Sequence, residues 1–98
     1  MHKVGTKTDL AKGKPLSAVV EGQRIAVFLV KDEVVATTGK CPHAGGPLHL
    51  GSLCGSTLIC PWHGWTYDVL SGACEEDTTV TLTRYAVQID GDDIYITL

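Results

Sequence analysis

YAVQIDGDDIYITL, residues 85–98, alternates apolar and polar side chains on both sides of an Asp-Gly pair. In an extended chain Tyr85, Val87 and Ile89 share one face, and Ile94, Ile96 and Leu98 share a face after Asp90-Gly91. An Asp-Gly pair between two such runs signals a tight hairpin, because its turn takes positive φ at both positions. Upstream, Leu16–Val20, Gln23–Val30 and Glu33–Thr38 are rich in β-branched residues and are parted by Glu21-Gly22 and Lys31-Asp32. That pattern predicts a meander of three strands. Val80–Leu82 reads as one more short strand, and Thr8 to Gly13 as a helical turn before Pro15. No window of about eleven residues carries a 3.6-residue apolar stripe. The expected fold class is all-β.

Composition narrows the function. Ninety-eight residues suit one domain with a single modest core. The longest apolar run, Ile25 to Val30, is six residues, far short of the roughly 20 that a membrane span needs. The N-terminal MHKVGTKTDLAKGK lacks the apolar core and small-residue site of a secretory signal. A net charge of −3 argues against a nucleic-acid partner. The early lysines (Lys3, Lys7, Lys12, Lys14) read as a solvated face, and His2 as part of a disordered end. The acidic groups Glu75-Glu76-Asp77 and Asp90 with Asp92-Asp93 are either surface turns or steering charges for a basic partner. Four cysteines without a signal peptide point to a reducing compartment, the cytoplasm, where cysteine more often binds metal than pairs.

The middle of the chain departs from the strand pattern. Between Gly39 and Gly72 lie seven of the eleven glycines and three of the four prolines, and apolar alternation thins out. Such a stretch organises poorly by hydrophobic burial alone. It contains two similar groups, CPHAGG at residues 41–46 and CPWHGW at residues 60–65. The order of possible ligands is Cys41-x-His43, sixteen residues, then Cys60-x-x-His63. Each group offers one thiolate and one imidazole on a turn short enough for both to reach a common centre. Pro42 and Pro61 fix a dihedral directly after each cysteine, and Gly45, Gly46 and Gly64 permit positive φ and close approach. Thr57-Leu58-Ile59 leads into the second group and Trp65-Thr66-Tyr67 leads out, like two arms of a hairpin with ligands at its tip. Tetrahedral zinc, a mononuclear redox metal and a [2Fe–2S] cluster can all use two thiolates and two imidazoles.

C-x-H, sixteen residues, C-x-x-H, with Gly64 next, resembles the Rieske iron–sulfur motif. CPHAGGPL, CPWHGWTYD and the later Ser71-Gly72 are similar to Rieske domains of the ferredoxin type. The close match covers about residues 39–72. The resemblance implies an antiparallel β-sandwich or barrel base carrying a smaller cluster-binding lobe, one domain over residues 1–98. It also implies one [2Fe–2S] cluster, with Cys41 and Cys60 on one iron and His43 and His63 on the other. Exchanging two thiolates for neutral imidazoles makes the cluster less negative. The potential rises to roughly −150 to +300 mV, against about −400 mV for all-cysteine plant-type clusters. Respiratory Rieske proteins carry a disulfide between the loops and a serine that hydrogen-bonds a sulfide. Here Gly46, Trp62 and Trp65 stand at those places, so the low end of the range is expected.

Several residues keep two readings. Tyr67 is either a hydroxyl donor toward a ligand thiolate or a core aromatic with its hydroxyl at the surface. Of Trp62 and Trp65, one packs under the lobe and the other joins a docking surface. Cys54 and Cys74 are expected to be buried free thiols, and His49 a surface histidine. After Gly72, family members often cover the cluster with a proline-containing segment. ACEEDTTV, residues 73–80, stands here instead, and puts that wall of the site in doubt.

No glycine-rich dinucleotide loop, second metal constellation or nucleophile–base pair accompanies the motif. The chain ends 35 residues after His63, which leaves no room for the catalytic domain of a Rieske oxygenase. The expected role is therefore that of an electron-transfer component, not an enzyme. By resemblance it is a monomeric carrier taking electrons from a flavin-containing reductase to a terminal oxygenase, expected to be a ring-hydroxylating dioxygenase of aromatic catabolism. Two other readings stay open: the Rieske-like small subunit of a larger reductase such as nitrite reductase, and a structural zinc domain.

Overall fold

A computed structural model describes all residues of the chain except Gly13, His43, Ala44, His63 and Thr78. Six strands form one antiparallel sheet: β1 (His2–Thr6), β2 (Leu16–Val20), β3 (Gln23–Val30), β4 (Glu33–Thr38), β8 (Arg84–Asp90) and β9 (Asp93–Thr97). Their order is β1-β9-β8-β4-β3-β2. The two outer strands, β1 and β2, touch, so the sheet curls into a nearly closed barrel. A second sheet of three short strands, β5 (Ser52–Cys54), β6 (Thr57–Ile59) and β7 (Thr66–Asp68), forms the lobe. No helix among the described residues is long and apolar enough to cross a membrane.

The meander and the C-terminal hairpin form over the predicted residues. The helical turn is α1 (Lys7–Leu10), with Thr6 Oγ1 accepting from Asp9 N–H at its start. Asp92 secures the same turn by accepting from Thr8 N–H and Thr8 Oγ1, and Asp93 pairs with Lys3. This acidic group therefore serves the fold. Two expectations fail. His2 is the first residue of β1, opposite Ile96, and is ordered by that pairing although its own sequence is polar. Val80–Leu82 makes no strand and contributes only a single bridge from Thr81 to Ala73. Leu82 N–H is taken by Gly72 O instead.

β3 shows why its sequence is a continuous apolar run. Ile25 and Val27 face the barrel interior with Val4, Val20, Ala36, Ile94 and Ile96. Ala26, Phe28 and Val30 face the other way, into a second core with Leu48, Leu58, Tyr67 and Val69 of the lobe. A strand covered on both faces loses the polar alternation of a half-buried one. β3 is thus the floor on which the lobe rests.

Ile96 is wholly buried between β1 and β8. Ile96→Ala is expected to lower stability by about 2–5 kcal/mol through lost burial and a cavity, read as a lower urea midpoint by circular dichroism.

Candidate metal centre

Both loops of the lobe are built on one plan. Cys41 follows β4 after Gly39 and Lys40, and its N–H donates to Gly46 O at 2.9 Å. Cys60 directly follows β6, and its N–H donates to Trp65 O at 2.8 Å. Each loop is therefore closed by a bond from its cysteine to the fifth residue beyond. Each has proline directly after the cysteine and glycine four residues after it, Gly45 at φ +74° and Gly64 at φ +70°. A side chain there would meet the strain of the left-handed region, which glycine escapes. The hairpin expected around the second loop is present, with Ile59 opposite Thr66 and Leu58 opposite Tyr67.

The loops bring Cys41 and Cys60 together. Each is 2 % exposed, and both belong to one buried cluster. Burial pushes the Cys60 thiol above its ordinary range, while the Trp62 N–H, 3.4 Å from Cys60 Sγ, pulls the other way. Cys41 is near enough to push the Cys60 thiol upward as well. On the opposite side, the Tyr67 hydroxyl sits 3.0 Å from Cys41 Sγ. Tyr67 is wholly buried, so the reading that put its hydroxyl at the surface fails: the ring fills the core and the hydroxyl meets a candidate ligand. With Cys41 as thiolate, the hydroxyl must be the donor. His43 and His63, the other two expected ligands, lie outside the described residues. Among the described residues no three His, Cys, Asp or Glu side chains converge.

The tryptophans divide their work. Trp65 packs against the lobe core, whereas Trp62 is 50 % exposed at the loop tip. Trp62 also clamps the loops. A Cβ added to Gly46 would lie 3.0 Å from Trp62 Cγ and 3.2 Å from Cys60 Sγ. The indole thus occupies the space beside Gly46 where a second side chain has no room.

The segment after Gly72 runs along the outer edge of β7. Cys74 bridges to Tyr67, and Ala73 O accepts from Asp68 N–H at 2.9 Å. Thr66 N–H donates to Glu76 Oε1 at 2.8 Å, and Glu75 N–H donates to Thr66 O at 3.1 Å. Asp77 accepts from Thr79 N–H and Oγ1, which gives this acidic group a structural task. The hydrogen bonds from Thr66 hold the Glu76 carboxyl below the usual carboxylate range. Cys74 is a buried thiol as expected, but Cys54 is exposed at the end of β5. The tight turn at Gly55 leaves that corner of the hairpin in solvent. His49 is half-buried on a 3-10 turn (Leu48–Leu50), its Nδ1 enclosed and without a hydrogen-bond partner among the described residues.

Two buried thiols with donors aimed at both sulfurs match the needs of an iron–sulfur cluster, whose negative charge rests largely on sulfur. Comparison with known proteins agrees. The model of the Rieske [2Fe–2S] domain matches residues 1–86. The ferredoxin component of the naphthalene 1,2-dioxygenase system of Pseudomonas aeruginosa is 32 % identical over 91 residues, covering 92 % of this chain and 88 % of that protein. Methylxanthine N1-demethylase NdmA of Pseudomonas putida is 38 % identical over 79 residues, 76 % of this chain, but the match spans only 22 % of the demethylase. A structure of the complex of reduced oxygenase and oxidised ferredoxin in carbazole 1,9a-dioxygenase contains a chain that superposes with a TM-score of 0.87. That chain is 29 % identical, and the superposition covers 97 % of this chain and 99 % of the other.

Two substitutions test the geometry. Gly46→Ala overpacks the contact with Trp62 and Cys60, at a cost of about 1–3 kcal/mol, and is expected to lower the iron content of the purified protein. Tyr67→Phe removes a donor whose bond to a charged sulfur is worth about 1.5–3 kcal/mol, only part of which differs between redox states. With about 59 mV per tenfold change for one electron, voltammetry should show a fall on the order of tens of millivolts.

Proposed function

The chain belongs to the Rieske [2Fe–2S] domain family, and we propose that it works as a one-electron carrier between a flavin-containing reductase and a terminal oxygenase of aromatic catabolism. The observation that carries this reading is the meeting of Cys41 and Cys60, buried and hydrogen-bonded, at the tips of two matched loops. Cys41 and Cys60 hold one iron in this proposal, and His43 and His63 the other. The cluster, when bound, supplies a single one-electron couple in the Rieske range. The protein's own groups hold it, shield its sulfur side with the lobe core, and set its potential through Tyr67 and the Trp62 N–H. We assign a potential at the low end, because the two groups that replace a disulfide, Gly46 and Trp62, bring no cross-link.

The 98 residues act as one domain in this reading, with residues 39–72 as the ligand lobe. The assignment of partners draws on the relatives: one is a ferredoxin component of a dioxygenase system, and another was captured in complex with its oxygenase. A carrier binds its partners in turn, which suits a monomer with a small exposed contact around Trp62. Four cysteines with no disulfide among them suit the reducing cytoplasm.

The deciding experiment is electron paramagnetic resonance on the dithionite-reduced protein, with iron, sulfide and zinc assayed in the same sample. We expect a reduced [2Fe–2S] signal with the low average g value of mixed cysteine and histidine ligation. A colourless, silent, zinc-loaded protein, unchanged by cluster reconstitution, would mean a structural ion and no electron transfer.

A further inference from the structure

Tyr67 reaches Cys41 from a strand with little to hold it. β7 is three residues long and belongs to a sheet whose other strands are equally short, a size that is marginal without added support. One side of Tyr67 pairs with Leu58 of β6. The other side meets Cys74 through a single bridge. Backbone bonds from Asp68 N–H to Ala73 O and from Gly72 N–H to Asp68 O fasten that outer segment after Tyr67. The side-chain fastening is concentrated on Thr66, the residue directly before Tyr67. Its carbonyl accepts from Glu75 N–H, its N–H donates to Glu76 Oε1, and its hydroxyl lies 2.9 Å from Glu76 Oε2. The hydroxyl is also 3.1 Å from Glu75 Oε2, a second acceptor for the same proton. The Cys74 thiol donates toward Glu76 Oε1 at 3.8 Å. One carboxylate therefore ties together the backbone beside Tyr67 and the segment that covers it.

We propose that Glu76 is a positioning residue for the Tyr67–Cys41 hydrogen bond, and through it for the potential of the bound cluster. The inference rests on the carrier reading above. Glu76 affects the potential in two ways of opposite sign. As a negative charge it disfavours the more negative reduced state, so its removal raises the potential. As a clasp it keeps the Tyr67 hydroxyl on a sulfur whose charge grows on reduction, so its removal lowers the potential. Glu76 is exposed, and water and salt screen its charge, whereas its hydrogen bonds act on geometry that screening leaves alone. The clasp dominates.

Two conservative variants separate the effects. Glu76→Asp keeps the charge and shortens the reach. Glu76→Gln removes the charge and keeps an oxygen for the Thr66 N–H. Potentials of the loaded proteins, measured by voltammetry, are expected to fall for Glu76→Asp and to stay near wild type for Glu76→Gln. Glu76→Ala should shift in the direction of Tyr67→Phe, and the double variant should lie no lower than Tyr67→Phe alone. A rise in Glu76→Gln with Glu76→Asp unchanged would overturn the proposal in favour of simple charge. Equal potentials in all the Glu76 variants, or additive shifts in the double variant, would overturn it as well. A wild-type protein without the reduced [2Fe–2S] signal overturns the carrier reading and this inference together, while a normal signal with the potentials in the wrong order overturns this inference alone.

Discussion

Burying two thiols side by side is the constraint from which the lobe's construction follows. A thiolate taken out of water is costly unless it meets a metal or hydrogen-bond donors, and here Cys41 and Cys60 each have a donor group beside the sulfur. To bring them together, the chain must project two loops from separate strands and stop both at the same depth. The shared closure, cysteine N–H to the carbonyl five residues on, does this with one local shape used twice. Proline after each cysteine and left-handed glycine four residues later are what that shape demands of the sequence.

The loops could not stand alone. Strands of three residues bury too little to order themselves, so the lobe borrows the far face of β3. Phe28 and its neighbours there belong to the same core as Leu58, Tyr67 and the two candidate cysteine ligands. The barrel interior is a separate core on the opposite face of that strand. A single strand buried on both sides thus couples a rigid base to a site that has to be held in place by a wall of hydrogen bonds.

Much of this was legible in the sequence, for identifiable reasons. Asp90-Gly91 and the β-branched runs encode local geometry directly, and their strands form where predicted. The cysteine and histidine spacing encodes chemistry, and led to the right family. The misses are cases where a distant partner decides. His2 carries no strand signal of its own and is ordered by pairing with Ile96. Val80–Leu82 has β-branched residues, yet its backbone is spent on Gly72 and Ala73 rather than on a ladder. Cys54 looks like any small buried hydrophobe until the β5–β6 turn places it at an exposed corner. The acidic run at residues 75–77 looked like a solvated turn or a steering patch, because nothing in the sequence says that Thr66 will lie opposite.

That last case has a physical moral for small metal lobes. Covering a site with apolar or proline-rich chain relies on shape, and shape needs a core to press against. Fastening the neighbouring segment through Glu75 and Glu76 relies on directional bonds to one strand, which need no additional core volume. In a chain of this size, where buried area is scarce, the second solution leaves the apolar side chains for β3 and the ligands. Its consequence is that a carboxylate, placed on the surface for the sake of the fold, comes within one residue of the tyrosine that meets Cys41. Structure and redox tuning then share the same hydrogen bonds, and a change made for either one reaches the other.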